Sequence, residues 1–300
     1  MNTKRIAIVG GGLMGSGIAQ VFAAAGHRVD VYEPIEAVRS TILQRIRDGL
    51  TGEGGDPSAV EHVALHDRLD TAVAQADFVF EAVPEKLALK RTIFAHLETH
   101  APRHAILASN TSVMPIGSIV AGLATQHRTV GTHWWNPATL IPLVEVIQGF
   151  NTTQDTVTAT MDLLSAVGKK PAHVKKDVAG FVANRLQHAL WREAIAMVAE
   201  GICDARTLDD CVKNSFGLRL AVLGPLENAD LVGIDLTRDI HRTIIPQLSR
   251  EGGPSPYLDE LIAQGRLGFK SGEGFQTWSA HEQSALRERL VDHLLQARQG

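Results

Sequence analysis

The sequence has little cysteine, no surplus of positive charge and no long hydrophobic run, and each of these absences excludes a class of protein. Only Cys203 and Cys211 occur among 300 residues. Eight residues apart, they match neither a Cys-x-x-Cys redox pair nor a zinc site, and two cysteines are too few for a disulfide framework. We therefore expect two reduced thiols in a reducing compartment.

Charge and hydropathy exclude two further classes. The 29 basic and 33 acidic side chains give a net charge of −4, which lacks the basic surplus that a nucleic-acid surface needs. No apolar stretch approaches the ~18 residues that cross a bilayer. The apolar run Ile6–Val9 ends at three glycines, so it is too short for a secretion signal. We expect a soluble, cytoplasmic protein that binds neither nucleic acid nor membrane.

The chain changes character near its middle. Short apolar runs alternate with helical patterns through the first half, which is typical of βαβ units and a parallel sheet. After about Gly180 the strand signal stops, and from Asn184 to Glu200 apolar residues recur at helical spacing. We predict a doubly wound α/β domain over 1–180 and an all-α domain over 181–300. The predicted strands are Arg5–Val9, Arg28–Tyr32, Asp77–Glu81, Ala105–Ser109, Thr129–His133, Leu143–Ile147 and Ala172–Val174.

A glycine-rich turn follows the first predicted strand and opens a helix. Gly10, Gly12 and Gly15 form the pattern G-x-G-x-x-G, with Leu13 and Met14 between the last two. In this context the first glycine makes a tight turn, the second lets the backbone approach a pyrophosphate, and the third lets the helix pack against the strand. The free N–H groups of the helix N-terminus then face the phosphates. The turn predicts a Rossmann-type dinucleotide site.

An acidic residue indicates which dinucleotide binds. Glu33 ends the second predicted strand, eighteen residues after Gly15. A carboxylate at this place can accept hydrogen bonds from the adenosine ribose and would repel a 2′-phosphate. The sequence therefore favours NAD over NADP.

A histidine and a glutamate lie on two successive predicted strands. His133 ends one strand in the segment Gly131–Pro137, and Glu145 lies within the next. If the strands are adjacent, the carboxylate can bond one ring nitrogen and leave the other to act as a base. From these residues alone, a purely structural histidine remains an alternative.

Four strings in a fixed order carry a resemblance to a known family. They are S-N-T-S ending at Ser112, H-x-x-N-P beginning at His133, L-V-E-V around Glu145, and G-F-x-x-N-R around Asn184. Together with the glycine turn and the segment 268–275, they resemble the L-3-hydroxyacyl-CoA dehydrogenase family from Gly10 to Phe275. The resemblance implies an NAD-dependent enzyme that interconverts a 3-hydroxyacyl and a 3-ketoacyl group by hydride transfer. It also implies a homodimer formed through the helical half.

The resemblance assigns roles to individual residues. It implies that His133 is the general base, that Glu145 orients its imidazole, and that Ser112 and Asn184 hold the reacting oxygen. It further implies NAD contacts beyond the glycine turn and Glu33. These matched positions are Glu85, Lys90, Asn110, Asn136 and Lys270.

Two departures from the fatty-acid members of the family leave the substrate open. Trp134 and Trp135 follow the histidine where those members usually have two phenylalanines, which would narrow or reshape the pocket. The segment from Glu33 to Glu81 is shorter than theirs, in which a helical excursion carries basic contacts to coenzyme A, although Arg39, Arg45 and Arg47 remain. The sequence of Ile141–Val146 is closer to the branch of the family that contains lambda-crystallin, carnitine dehydrogenase and pyridoxine-degradation dehydrogenases. The substrate is therefore a 3-hydroxyacyl-CoA or, alternatively, a free hydroxy acid or alcohol. A non-enzymatic NAD-binding protein is a third alternative.

No metal site is expected. His96, His100 and His104 recur every four residues, but Pro102 interrupts the helix between them and no carboxylate or cysteine completes a ligand set. His62 and His66 lack the glutamate of a zinc-hydrolase motif.

Overall fold

A computed structural model describes residues 3–299, with side chains to residue 297. Contact density divides the chain into two compact units, Met1–Arg185 with Asp292–Gly300, and Leu186–Val291. The first contains an eight-stranded sheet with helices, and the second is helical. The predicted fold class, a Rossmann-type sheet followed by an all-α part, is confirmed. The strands are β1 Arg5–Val9, β2 Arg28–Tyr32, β3 Val63–His66, β4 Phe78–Glu81, β5 Ile106–Ser109, β6 Thr129–Trp134, β7 Leu143–Ile147 and β8 Lys170–Val174.

The strand order is β3-β2-β1-β4-β5-β6-β7-β8. Its first six positions have the order of a dinucleotide-binding doubly wound sheet, in which ligands bind beyond the carboxyl ends of the strands at the point where the order reverses. That point lies between β1 and β4, which pair in parallel. The glycine turn follows β1 directly, so the topology places it at the expected binding edge.

The sheet is buried on both faces because its strands are apolar on both. Ile6 and Ile8 of β1 belong to one core and Ala7 and Val9 to the other, and all four are fully buried. This continuous apolar run is typical of parallel strands covered by helices on two sides. The helices of the first unit are α1 Leu13–Ala24, α2 Glu36–Arg39, α3 Ile42–Gly52, α4 Leu69–Val73, α5 Leu87–His100, α6 Ile116–Ile119 and α7 Gln154–Ala166.

One strand, β3, was not predicted. Its sequence Val63–His66 is only four residues long, and it lies at the edge of the sheet beside β2. Only Val63 of the four is buried, so the strand carries neither a clear apolar run nor a clean alternation.

The strand β7 runs antiparallel to β6, whereas the sequence predicted a parallel sheet. Only residues 135–142 join the two strands, and this connection is too short for a parallel crossover. The buried ammonium of Lys169 donates hydrogen bonds to three carbonyls of the connection, those of Ala138, Thr139 and Ile141, the last at 2.9 Å. These bonds satisfy backbone acceptors that have no strand partner.

The remaining helices follow the sheet. The chain enters α8 through Gly180 and Phe181, both with positive φ (72° and 48°), a conformation that turns the backbone sharply. The helices are α8 Ala183–Ala199, α9 Ala205–Lys213, α10 Pro225–Val232, α11 Ile234–Ile244, α12 Pro256–Ala263 and α13 Ala280–Gln299. Cys203 and Cys211 are both free thiols. Among the described residues, no helix is long and apolar enough to span a membrane.

Candidate active site

The glycine turn has the geometry that its motif predicts. Gly10 has φ +104°, and a Cβ there would lie 2.9 Å from the Ala82 carbonyl oxygen. A Cβ on Gly15 would lie 1.8 Å from the Gly10 oxygen, so helix α1 packs directly on the turn. A Cβ on Gly12, by contrast, would meet nothing within 4 Å. Open space therefore lies beside the first residue before α1, where a pyrophosphate needs to approach backbone N–H groups.

Glu33 is fixed beside this turn. Its carboxylate is buried and accepts hydrogen bonds from the Gly11 N–H at 2.9 Å and from the Ile35 N–H at 3.0 Å. Each oxygen carries one of these bonds, and an ionised carboxylate has about four acceptor positions. Glu33 therefore keeps capacity to accept from ribose hydroxyls. The open space at Gly12, the N-terminus of α1 and this carboxylate together fit an NAD molecule.

His133 and Glu145 form a buried pair across the β6–β7 ladder. They are directly opposite each other in the antiparallel register, and His133 Nδ1 lies 2.7 Å from Glu145 Oε2. Both side chains are almost fully buried. A carboxylate on Nδ1 fixes the ring tautomer, so Nε2 is the nitrogen that can accept a proton.

The second oxygen of Glu145 is held by the start of helix α8. Glu145 Oε1 accepts from the Val182 N–H at 2.9 Å and the Ala183 N–H at 3.1 Å. Burial raises the pKa of Glu145, but the hydrogen bonds from His133, Ala183 and Val182 outweigh it and hold the pKa below its usual value. The carboxylate is therefore ionised at neutral pH and can balance a charged imidazolium.

The two tryptophans after the histidine have different surroundings. Trp134 is 2 % exposed and packs in the core against Phe22 and Phe80. The Trp135 ring lies 5.1 Å from the His133 ring, between centroids. Trp135, and not Trp134, is therefore the residue that forms a wall beside the imidazole.

Ser112 and Asn184 lie together. The Asn184 Nδ2 group donates to the Ser112 carbonyl oxygen at 2.9 Å, and the Ser112 side chain is exposed. The Ser112 N–H donates to Glu85 Oε1 at 3.1 Å. Burial raises the pKa of Glu85, but hydrogen bonds from Thr111 and the nearby Lys90 ammonium outweigh it, so this pKa is lowered.

The other residues predicted to contact NAD lie in different parts of the structure. Asn110 follows β5, and its side-chain oxygen accepts from the Trp134 N–H at 2.9 Å. Asn136 is exposed before a cis peptide bond to Pro137. Lys90 is fully buried and ion-paired. Lys270 belongs to the second unit, where it lines an apolar cavity of about 650 Å³. Their contact with NAD stays a prediction.

One residue of this region was missed by sequence reasoning. Glu81 ends β4 and is fully buried, with its carboxylate bonded to Lys90 Nζ at 2.8 Å and to Ser109 Oγ at 2.6 Å. The available signal was an acid that ends the apolar run Phe78–Glu81 at the binding edge of the sheet. Among the described residues, no group of three or more metal-ligating side chains is placed to hold an ion.

Comparison with known proteins settles the ancestry of this site. The family model described as "3-hydroxyacyl-CoA dehydrogenase, NAD binding domain" matches residues 5–178, and its "C-terminal domain" counterpart matches residues 180–278. The chain belongs to the 3-hydroxyacyl-CoA dehydrogenase family. The resemblance inferred from the four strings is thereby confirmed.

Relatives in this family act on different kinds of substrate. The chain is 35 % identical to 5-formyl-3-hydroxy-2-methylpyridine 4-carboxylate 5-dehydrogenase of Mesorhizobium japonicum, covering 98 % of this chain and 97 % of that one. It is 34 % identical to human mitochondrial hydroxyacyl-coenzyme A dehydrogenase, covering 91 % and 90 %. A crystal structure of a 5-formyl-3-hydroxy-2-methylpyridine 4-carboxylic acid 5-dehydrogenase superposes with a TM-score of 0.89 at 34 % identity, over 99 % and 97 % of the chains.

These relatives decide the general activity. This member of the 3-hydroxyacyl-CoA dehydrogenase family is an NAD-dependent dehydrogenase that acts on a hydroxyl group. The alternative of a non-enzymatic NAD-binding protein is set aside. The predicted cofactor, NAD, is confirmed.

Two glycine substitutions separate folding from cofactor binding. Gly15→Ala forces a Cβ into the Gly10 backbone, so we expect a loss of about 1–3 kcal/mol in the free energy of unfolding. Gly12→Ala enters open space, so its stability should change by less than about 0.5 kcal/mol. Its NADH dissociation constant should rise about tenfold or more, because the methyl group takes the room of the pyrophosphate. Urea unfolding measures the stability of both variants, and NADH fluorescence titration measures their affinity for the cofactor. Equal NADH affinity of G12A and wild type would contradict the placement of the pyrophosphate beside Gly12.

The lowered pKa of Glu145 gives a pH-dependent stability. Because its folded-state pKa lies below the usual 4.5, this contribution is complete above pH 4.5 and is lost as the pH falls through the folded-state pKa. Glu145→Gln removes the titration. We expect the urea midpoint of the wild type to fall more steeply than that of E145Q below pH 4.5. The exposed Glu61→Gln serves as control, and parallel curves for E145Q and wild type would refute this expectation.

Proposed function

We propose that this chain oxidises the secondary hydroxyl of a small free hydroxy acid to a keto group. The observation that carries this proposal is the buried His133–Glu145 pair, with its 2.7 Å bond between Nδ1 and Oε2. His133 Nε2 takes the hydroxyl proton, and Glu145 stabilises the resulting imidazolium. NAD, when bound, accepts the hydride that leaves the carbinol carbon. Ser112 and Asn184 orient the reacting oxygen toward the imidazole.

The arginines in the short segment after Glu33 bear on the substrate class, because they are the groups of this segment that could bind the phosphates of coenzyme A. Arg45 donates to Ser16 Oγ at 3.0 Å and to the Gly11 carbonyl at 3.2 Å, and Arg39 donates to the Glu33 carbonyl at 2.8 Å. These two guanidinium groups support the glycine turn and Glu33, and Arg68 is ion-paired with Asp70. Of the four arginines in this segment, Arg47 is therefore the one left to face a phosphate.

A 3-hydroxyacyl-CoA thioester is the second candidate substrate. It is supported by the human relative, a hydroxyacyl-coenzyme A dehydrogenase, which matches this chain at 34 % identity over 91 % of its length. A free carboxylic acid is supported by the 5-formyl-3-hydroxy-2-methylpyridine 4-carboxylic acid 5-dehydrogenase, which has a TM-score of 0.89 over nearly the whole chain. The named substrate of that relative carries a formyl group, so it supports the free acid and not the secondary hydroxyl. The large indole of Trp135 beside His133 also favours a small substrate.

A substitution of His133 tests its proposed role as the general base. His133→Gln keeps a hydrogen-bonding side chain opposite Glu145 but cannot accept a proton at neutral pH. We expect NADH formation to fall about 10²- to 10⁴-fold, while the NADH dissociation constant measured by fluorescence stays within about threefold. Undiminished turnover by H133Q would refute the proposed chemistry.

The second prediction distinguishes the two substrate classes. Reduction by NADH of acetoacetyl-CoA and of free 3-keto acids is compared as kcat/KM, and we expect the free acids to be preferred. Arg47→Gln is the matched variant, because it removes the arginine that is left to face a phosphate. In the structure this arginine donates to the Gln44 side chain. If the thioester is preferred and R47Q raises its KM alone, the coenzyme A ester replaces the free acid as substrate.

We also propose that the helical part, predicted over 181–300, forms a homodimer while 1–180 binds NAD. In the unit Leu186–Val291, only Ala196 and Leu261 are buried apolar residues, whereas Val222 is 89 % exposed and Leu226 79 %. Apolar side chains exposed in such number mark a protein interface. A second copy of this chain supplies the same apolar surface and is the partner that the family resemblance implies. Two free thiols support a reducing, cytoplasmic location.

The dimer predicts a mass in solution. Light scattering on a sizing column should give about twice the 32.4 kDa of one chain. Replacing Leu226 and Leu231 of α10 with glutamate should shift the mass toward the monomer, whereas Thr158→Glu, an exposed position on α7, should leave it unchanged. A monomeric wild type at micromolar concentration would overturn this proposal.

A further inference from the structure

A buried cluster of charges lies beside the proposed site and takes no part in the chemistry described above. It consists of Glu81, Lys90 and Glu85, and is called here the Glu81–Lys90–Glu85 cluster. Lys90 Nζ lies 2.8 Å from Glu81 Oε1 and 3.2 Å from Glu85 Oε2. The side chains of Glu81 and Lys90 are fully buried, and that of Glu85 is 34 % exposed. Burying such a cluster of charges is energetically costly, so the cluster is a candidate for a functional role.

Glu81 anchors the cluster to the sheet. It is the last residue of β4, and its second oxygen accepts from Ser109 Oγ, at the end of β5, at 2.6 Å. Its first oxygen also accepts from the Val83 N–H at 2.8 Å. Lys90, in the first turn of α5, adds a contact to the Val83 carbonyl at 3.4 Å. Both Glu81 oxygens and the ammonium of Lys90 are thus occupied by protein partners.

Glu85 connects the cluster to the loop that holds Ser112. Its Oε1 accepts from the Ser112 N–H at 3.1 Å, from the Val113 N–H at 3.3 Å, and from Thr111 Oγ1. Thr111 Oγ1 in turn accepts from the Met114 N–H at 3.0 Å. The carboxylate therefore gathers three donors of one tight turn, while its other oxygen faces Lys90.

Ser112 is held from a second side as well. Its carbonyl oxygen accepts from Asn184 Nδ2 at 2.9 Å, so its backbone is fixed at both N–H and C=O. The Ser112 side chain is nevertheless exposed and available to a ligand. This combination of a rigid backbone and an available hydroxyl is what a substrate-orienting residue requires.

We infer that Glu85 is a positioning residue for the reaction, which places Ser112 through the 111–113 turn while Lys90 and Glu81 hold its carboxylate in place. The inference rests on the proposed function, in which Ser112 orients the reacting oxygen. It adds to the direct contact with NAD that the family resemblance implies for Glu85 and Lys90. A positioning residue acts through Ser112, and a cofactor contact acts without it.

The experiment is a double-mutant cycle with a binding readout. Glu85→Ala, Ser112→Ala and the double variant are compared in kcat on the preferred substrate and in the NADH dissociation constant by fluorescence titration. We expect E85A to lower kcat about 10- to 100-fold, because small misplacements of an orienting group cost up to about 10²-fold. Because kcat is measured at saturating NAD, this loss is separate from any change in the NADH dissociation constant. The double variant should be no more than about twofold slower than S112A, since coupled residues are non-additive.

Three further variants test whether the effect is specific to the hydrogen bonds that Glu85 accepts from the turn. Glu85→Gln keeps an acceptor oxygen for the turn and should retain more activity than E85A. Glu85→Asp keeps the charge but withdraws the oxygen by one methylene, and it carries the test if E85A does not fold. Glu98→Ala is the matched control, because Glu98 Oε1 likewise gathers the Ala124 and Thr125 N–H groups, at 2.7 and 3.1 Å, in another turn. E98A should lose stability but keep the wild-type kcat.

Two outcomes would overturn the inference. In the first, the effect of E85A on kcat at saturating NAD multiplies with that of S112A, which means that Glu85 acts on the reaction without Ser112. In the second, S112A turns over as fast as wild type, so that placing Ser112 has no catalytic purpose. Failure of the proposed function is a separate result, because it appears as undiminished turnover in H133Q.

Discussion

The hydrogen bond between His133 and Glu145 is the interaction on which the rest of the site depends. Burying a carboxylate is unfavourable unless it is paired and hydrogen-bonded. Here one oxygen of Glu145 bonds the imidazole and the other bonds the first N–H groups of α8. The same carboxylate therefore orients the imidazole of His133 and caps a helix. Neither partner can be lost without leaving a buried polar group unsatisfied.

The antiparallel pairing of β6 and β7 brings the two partners of this interaction together. An antiparallel ladder places residues of two strands directly opposite each other, and in this way β6 and β7 bring His133 and Glu145 together. The carboxyl ends of β1, β2, β4 and β5 contribute the remaining groups at one edge. These include the glycine turn, Glu33 and Glu81. The chemistry is thus distributed over several strand ends, and the backbone of the sheet sets the relative positions.

Features with a local origin could be predicted from the sequence. The glycine turn depends on three positions within six residues and on the strand and helix beside it, so its geometry at Gly10, Gly12 and Gly15 could be predicted, while their contact with NAD stays a prediction. The change from alternating elements to helices near Gly180 is likewise a property of the local pattern. The pairing of Glu145 with His133 was anticipated because they lie on successive strands, although the antiparallel direction was not.

Features that depend on distant pairing could not be predicted. The strand β3 is defined by its hydrogen bonds to β2, since its own four residues carry little signal. Nothing in the spacing of Glu81, Lys90 and Glu85 shows that the ammonium lies between the two carboxylates. The contrast between the two tryptophans has the same origin, because the core position of Trp134 depends on Phe22, more than a hundred residues away. Sequence reasoning treated both tryptophans as shaping a pocket, whereas packing assigns one of them to the core.

The anchoring of residues 138–141 by Lys169 has an evolutionary consequence. The lysine binds main-chain carbonyls, which every amino acid supplies, so this anchor does not depend on which side chains the segment carries. Substitutions at the half-buried Thr139 and Ile141, close to His133 in the chain, would leave these hydrogen bonds in place. A scaffold built in this way can diversify in the molecules it accepts while the His133–Glu145 pair stays unchanged.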